Sequence, residues 1–299
     1  MQNFLHQIAI AGKFKEIIDS NTDFRPFVAF LTSEHNDFGG TYLNLIPKEN
    51  VNKFNNAQFR AALLHRLYER QEVWVEGTLC NCKLHTPLDE LGHHLANRCA
   101  KEGYRHSTHD KLTRCLQEMF VALGQRVVLE PRMLFENSLM KPDIISRNYP
   151  KSTSPVIFDI TVTEPLHSTN MYLSTATTEF KAGEEAHARK ITKYDRVATE
   201  HGYQFIPLVF ESTGRPSKDV KKVFNTLFQN YREMYQIPHS AITNMRAHWM
   251  CKISATLQRC IADSIVLRSR YANSNYKTTT NPDHLSMQDE YEINYSVAE

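Results

Sequence analysis

An aspartate inside an apolar strand is the sequence feature that most limits how this chain can fold. The run 156–162 is β-branched and apolar, and a proline precedes it, so a strand is predicted over 155–163. Asp159 lies at the centre of this strand. Because side chains alternate between the two faces of a strand, Asp159 shares its face with Ile157 and Thr161. A site built on this strand therefore uses that face.

A second acidic residue is predicted to lie across from Asp159. A short strand is expected over 143–146, and turn residues and charges separate it from the longer strand. If the two strands form a hairpin centred on Lys151, Asp143 falls directly opposite Asp159. Side chains paired in this way stand about 5 Å apart at Cβ, and like charges there destabilise a sheet. Two such carboxylates need a cation between them, and hard oxygen ligands suit Mg²⁺.

A helix predicted over 177–201 supplies the positive charge. Its apolar stripe consists of Phe180, Ile191, Tyr194 and Ala198. Counting about 100° per residue, Lys190 lies about 75° from the centre of the stripe and Lys193 about 135° from it. Lys190 is therefore expected to lean over the sheet edge, whereas Lys193 faces solvent or a ligand. Glu164 falls on the face of the strand opposite to Asp159, so it is left out of this site.

Together these residues resemble the PD-(D/E)XK nuclease superfamily. The resemblance is closer to the restriction-like endonuclease domain of one class of non-LTR retrotransposons, and it covers the last three quarters of the chain. The matching residues are Lys141-Pro142-Asp143, Asp159 on the next strand, and the helical run Lys190-Ile191-Thr192-Lys193-Tyr194. Thr161 stands where the parent superfamily has its lysine, but in the retrotransposon branch that lysine lies on the helix.

The resemblance implies a metal-dependent DNA endonuclease that uses Mg²⁺ or Mn²⁺. Its catalytic residues would be Asp143, Asp159, Lys190 and Lys193, with the two aspartates as metal ligands. Lys141 and Tyr194, which belong to the matching motifs, would contact nucleic acid. Arg105 and His106 precede the helix at 107–123 and are either further phosphate contacts or a solvated helix start. DNA is the expected partner, with a reverse transcriptase or RNA beside it, and the family implies a nuclear location. Two alternatives remain open, namely a catalytically silent binding module that keeps the nuclease fold and an inactive retrotransposon fragment.

Cysteines and histidines upstream of this segment offer a second metal site. The set consists of Cys80, Cys82, His94 and Cys99. Two cysteines two residues apart, followed by a His-x-x-x-x-Cys unit, provide tetrahedral ligands for Zn²⁺. His85 or His93 could replace His94 as the fourth ligand. The retrotransposon family carries a similar zinc knuckle before its endonuclease. A site with four protein ligands has no open position, so it is expected to be structural or to dock nucleic acid.

The predicted order of elements indicates an α/β (α+β) fold. That order is helix (107–123), strand (126–130), strand (143–146), strand (155–163), helix (177–201) and strand (204–211). It matches the αβββαβ core of restriction endonucleases. Pro207 inside the last strand favours an edge position or a bulge. The expected domains are a helical module (1–76), the zinc knuckle (77–103), the nuclease-like core (104–212), C-terminal helices (213–271) and an acidic disordered tail (272–299). The helical module loosely resembles the thumb-derived segment that follows the reverse-transcriptase core in the same retrotransposon proteins.

Two helices are predicted in the helical module, over 9–18 and 56–69. Asn55 or Asn56 is expected to cap the second helix. Its predicted apolar face consists of Phe59, Leu63, Leu64 and Leu67.

Composition excludes few function classes. The 299 residues are 41% hydrophobic and 23% charged, which is ordinary for a globular chain, and the length allows one large or two small domains. A net charge of +2 neither requires nor excludes nucleic acid. No apolar run approaches the roughly 20 residues of a membrane span, so no membrane partner is expected. The six spread-out cysteines are typical of an intracellular protein without a disulfide framework.

Overall fold

The computed structural model describes residues 38–44, 53–71, 74, 77–99, 104–131, 135, 141–166, 175, 178 and 180–277. Its α-helices are α1 (Asn56–Arg66), α2 (Tyr104–Ala122), α3 (Lys181–Glu200), α4 (Lys218–Tyr235) and α5 (His239–Lys277), and single helical turns lie at Thr41–Asn44 and His94–Arg98. Its strands are β1 (Val127–Leu129), β2 (Ile144–Ser146), β3 (Val156–Thr163) and β4 (Gln204–Glu211). None of the described helices is long and apolar enough to cross a membrane. The mixed helix and strand content confirms the predicted α/β class.

The four strands form one sheet in the order β1-β2-β3-β4. The first three strands are antiparallel neighbours, and β4 runs parallel to β3 after the crossover through α3. Ile144 pairs with Phe158, so the β2–β3 hairpin is centred on Lys151 as predicted. Lys151 adopts the left-handed conformation, with φ 62°. Pro207 lies on β4, at the edge of the sheet as predicted. At an edge, a proline can sit where its lack of an N–H costs no hydrogen bond between strands.

Helices cover both faces of the sheet. The larger core packs α2, α4 and α5 on one face, where Phe158 and Ile160 of β3 are buried. The smaller core packs Ile191, Tyr194 and Ala198 of α3 on the other face. Because β3 alternates between these layers, Asp159 shares the α3 face with Ile157, as the sequence predicts. This arrangement brings α3 beside the carboxylate.

Several helix boundaries differ from the predicted ones. Helix α2 begins three residues before the predicted start at 107, and α3 begins at Lys181 rather than 177. Phe180 precedes α3 in the left-handed conformation with φ 58°, and its ring covers Gly183, where any Cβ would collide with it. Helix α5 continues to Lys277, past the predicted start of the tail at 272, because no glycine or proline stops it there. Residues 278–299 lie outside the described part of the chain.

Helix α1, in the N-terminal part of the chain, packs into the larger core. Of the two predicted caps of α1, Asn55 is the one that the structure uses. Its Oδ1 accepts the Gln58 N–H at 2.8 Å, while Gln58 Oε1 accepts the Asn55 N–H. The predicted apolar face of α1 is wrong, since Phe59 is 43% exposed. The helix instead buries Ala61, Ala62, His65 and Arg66. A helix predicted for 9–18 lies outside the described residues.

Candidate functional site

The two acidic residues of the hairpin lie opposite each other. The register that pairs Ile144 with Phe158 places Asp143 across from Asp159, one position further along. Both residues are buried, with 8% and 5% exposed surface. Asp143 Oδ2 accepts the backbone N–H of Ile160 at 2.6 Å, which fixes the carboxylate against β3. The hairpin therefore brings the predicted acidic pair together.

A lysine from α3 contacts the second aspartate. Lys190 Nζ lies 2.8 Å from Asp159 Oδ2 and 3.1 Å from Oδ1. Thr161 donates its hydroxyl proton to Oδ2 at 3.2 Å. Burial raises the pKa of Asp159, the charge of Asp143 raises it further, and Lys190 opposes both effects. The lysine ammonium thus supplies the positive charge that this face of the sheet requires.

Helix α2 adds to the site a residue that the sequence motifs did not include. His109 of α2 places Nε2 3.0 Å from Asp143 Oδ2, and this hydrogen bond raises the pKa of His109 to about 9. A protonated imidazole therefore faces the first carboxylate. Helical spacing could have found it, because His109 precedes the buried Leu112 and Leu116 on one face of α2.

The second lysine and the tyrosine of α3 form a small stack. Lys193 is exposed, and its Nζ lies 4.8 Å from the ring centroid of Tyr194. Lys190 Nζ lies 5.4 Å from the centroid of the same ring. The Tyr194 ring itself is held in place because it packs edge-on against Phe205. Both ammonium groups therefore lie within the range of a cation–π interaction with one aromatic ring. Hydrogen bonding to Tyr194 raises the pKa of Lys193.

The remaining predicted nucleic-acid contacts lie just before Asp143 and in the first turn of α2. Lys141 is exposed two residues before Asp143, and His106 is exposed in the first turn of α2. Arg105 lies in the same turn, but its side chain is outside the described part of the structure. Glu118, the remaining acidic residue near the end of α2, pairs with Lys252 of α5 at 2.9 Å.

A cavity of about 420 Å³ opens between the start of α3 and the start of α4. Its lining includes His187, Arg215, Lys218 and Lys221. His187 pairs with Asp219 at 2.7 Å and lies three residues before Lys190 on the same helix. The cavity therefore adjoins the helix that carries the site lysine, and its basic residues share the lining with the acidic Glu184 and Asp219.

The four predicted zinc ligands converge into one cluster. The Sγ atoms of Cys80 and Cys99 lie 3.7 Å apart, and Cys82 Sγ lies 3.7 Å from His94 Nε2. Tetrahedral ligands with Zn–S bonds of about 2.3 Å stand about 3.8 Å apart, so both separations fit a bound zinc ion. All four ligand atoms lie within 4.8 Å of one another. The cluster is thus competent to bind zinc.

Neighbouring groups hold this cluster against α5. Asp89 accepts the backbone N–H groups of His93 and His94 at 2.9 and 2.7 Å, which fixes the turn that carries the histidine ligand. Arg268 of α5 donates to Cys80 Sγ at 3.7 Å, and Ser264 donates to Leu95 O at 2.6 Å. The zinc knuckle is therefore packed into the larger core of the protein.

The structure decides among the three candidate histidines. His94 belongs to the cysteine cluster, whereas His85 is exposed. His93 is buried and turned toward Glu164, with Nδ1 2.9 Å from Oε1. Glu164 also lies near His65, whose Nε2 is 3.9 Å from Oε2. As expected, Glu164 points away from Asp159, but it joins a second group of potential metal ligands that the sequence did not suggest.

Comparison of the chain with models of known protein families finds no match, and a search of curated proteins finds no match either. The functional interpretation therefore rests on the geometry of the site and on the motifs of the chain itself.

Proposed function

We propose that this chain is a metal-dependent DNA endonuclease, of the kind that nicks target DNA for a non-LTR retrotransposon. The observation that carries the proposal is a pair of buried carboxylates, Asp143 and Asp159, opposed across a hairpin with Lys190 against one of them. The order helix, three strands, helix, strand supports a restriction-endonuclease-like core around them. A sheet gains no stability from opposed acids, so their placement favours a site.

The donor set fits Mg²⁺ or Mn²⁺. Carboxylate oxygens are the ligands that these hard cations prefer, and Asp143 and Asp159 would hold the ion. Burial and like charge raise the pKa of Asp159, so a cation beside it would offset a cost that the fold already carries. When bound, the ion would activate a water for in-line attack on a phosphodiester and stabilise the leaving oxygen.

The side chains around the acids have separate roles in this proposal. Lys190 keeps an ammonium group beside Asp159, where it neutralises negative charge that develops on the phosphate. Lys193, held over the ring of Tyr194, contacts the phosphate from the solvent side. His109 orients Asp143 through its hydrogen bond to Oδ2. These groups position the acids and the phosphate before any reaction begins.

Nucleic acid would be held chiefly through its phosphates. Three exposed lysines are available for this purpose. Lys141 precedes Asp143 by two residues, and Lys218 and Lys221 line the adjoining cavity. The cysteine cluster, loaded with Zn²⁺, would dock DNA or RNA beside the core. Binding of this kind weakens steeply as salt rises, because it depends on the release of counterions. The family resemblance also supports a nuclear location and a reverse transcriptase as a partner.

The proposal is tested by nicking of a supercoiled plasmid with Mg²⁺ or Mn²⁺ and with a chelator. We expect nicking by the wild type only with metal, and we expect its loss in both Asp159→Ala and Lys190→Ala. Glu118→Gln is the matched control, since it removes an acid that lies outside the site. Salt-sensitive DNA binding without nicking by the wild type would contradict the proposal and favour a silent docking module.

A further inference from the structure

We propose that His65, His93 and Glu164 form a second metal site, which binds Zn²⁺ or a similar transition-metal ion. The three residues come from separate places in the chain. His65 lies on α1, His93 directly precedes the histidine of the cysteine cluster, and Glu164 follows β3. Their convergence is therefore a product of the tertiary fold.

Burial sets this group apart from surface histidines and acids. His65 has no exposed surface, and His93 and Glu164 are each 4% exposed. A carboxylate taken out of water is costly unless it is paired or coordinates a metal. Both oxygens of Glu164 are faced by ring nitrogens, Oε1 by His93 and Oε2 by His65. The carboxylate thus lies between two imidazoles.

The distances are compatible with one small ion at the centre. His93 Nδ1 lies 2.9 Å from Glu164 Oε1, and His65 Nε2 lies 3.9 Å from Oε2. All three ligand atoms lie within 4.8 Å of one another. Ligands of a tetrahedral ion with bonds of about 2.0–2.1 Å stand about 3.3–3.4 Å apart, so the observed separations bracket that value. Small side-chain rotations would complete the geometry.

The chemistry of the ligands favours zinc over magnesium. Two imidazole nitrogens and one carboxylate oxygen are typical ligands of Zn²⁺ and other transition-metal ions, whereas Mg²⁺ prefers oxygen alone. Ser212 donates its hydroxyl proton to Glu164 Oε2 at 2.7 Å, and this outer contact orients the carboxylate. The site is enclosed, so its role is to fasten α1 and the knuckle to the end of β3, five residues after Asp159.

The test is a count of bound metal in the full chain after zinc loading and dialysis. We expect two zinc ions per wild-type chain, and one in each of the variants Glu164→Gln and Cys82→Ser. Glu118→Gln controls for loss of a carboxylate elsewhere, and it should keep two. Asp159→Asn should also keep two, which excludes zinc held by the acidic pair.

Cobalt substitution gives a second measurement that needs no Glu164 variant. A Co²⁺ ion at the histidine–glutamate site has no sulfur ligand, whereas the cysteine cluster gives strong thiolate-to-cobalt absorption. We expect the cobalt-loaded Cys82→Ser variant to keep a sulfur-free spectrum of one bound ion. A wild-type count of one zinc, or a count that Glu164→Gln leaves at two, would overturn the proposal and show a hydrogen-bonded network without metal.

Discussion

Replacing Lys190 by methionine tests whether Asp159 is a buried charge that needs a cation. The substitution keeps the length of the side chain and removes the ammonium group that lies 2.8 Å from Oδ2. Asp159 would then lose the cation that contacts it, while Asp143 keeps its own contact with His109. The pKa of Asp159, which burial already raises, would therefore rise further. The site thus predicts a loss of stability that depends on pH.

The magnitude follows from the burial of the pair. Removing one partner of a fully buried ion pair costs about 3–5 kcal/mol, and the 29% exposure of the lysine side chain reduces this to about 2–4 kcal/mol. The deficit is absent at low pH, where the carboxyl is protonated in both folded proteins. It grows as the pH rises through the folded-state pKa of Asp159 and is complete above the variant's higher pKa.

The assay is urea unfolding at several pH values, with and without Mg²⁺. Mg²⁺ should stabilise Lys190→Met more than the wild type, because in the wild type the ion must compete with the ammonium group. Arg189→Met is the matched control, since Arg189 is the exposed neighbour on the same helix. Equal stability of the two variants at pH 8, with no extra effect of Mg²⁺, would refute the reasoning.

Three further predictions concern the knuckle, the cavity and the start of α3. Cys82→Ser should remove the zinc of the cysteine cluster and lower the unfolding temperature, as measured by metal analysis and thermal unfolding; an unchanged zinc content would contradict the assigned ligands. The double variant Lys218→Ala, Lys221→Ala should weaken DNA binding and reduce the salt slope by about 1 for each lost phosphate contact, as measured by fluorescence anisotropy; an unchanged slope would remove the cavity from the interface. Gly183→Ala should cost about 1–3 kcal/mol in urea unfolding because its methyl group meets the ring of Phe180, and adding Phe180→Ala should shrink that cost; additive effects would contradict the contact.

The acidic pair was predictable because it depends on local sequence. A short turn between two runs with a two-residue period fixes both the register and the face of each side chain. The hairpin around Lys151 therefore places Asp143 across from Asp159 without the help of any tertiary contact. Lys190 was predictable for a similar reason, since helical spacing relative to the apolar stripe determines its direction.

Other parts of the structure depend on contacts that no local pattern reveals. The buried face of α1 was predicted wrongly because the helix buries small and polar side chains. His65 Nε2 meets Ser212 Oγ at 3.2 Å and Arg66 donates to Thr213 O at 2.7 Å, across 147 residues of sequence in each case. His109 reaches Asp143 from another layer. Helix α3 begins at Lys181 and not at the predicted residue 177, because Phe180 adopts the left-handed conformation.

The most direct test of the central claim is single-turnover nicking of a supercoiled plasmid as a function of Mg²⁺ concentration. The wild type should be compared with Asp143→Asn, which keeps the shape of the side chain and removes the carboxylate. We predict saturable, Mg²⁺-dependent nicking by the wild type and none by the variant, while both bind DNA equally at low salt. Nicking by Asp143→Asn with the same Mg²⁺ dependence would show that the opposed carboxylates are not the site of cleavage.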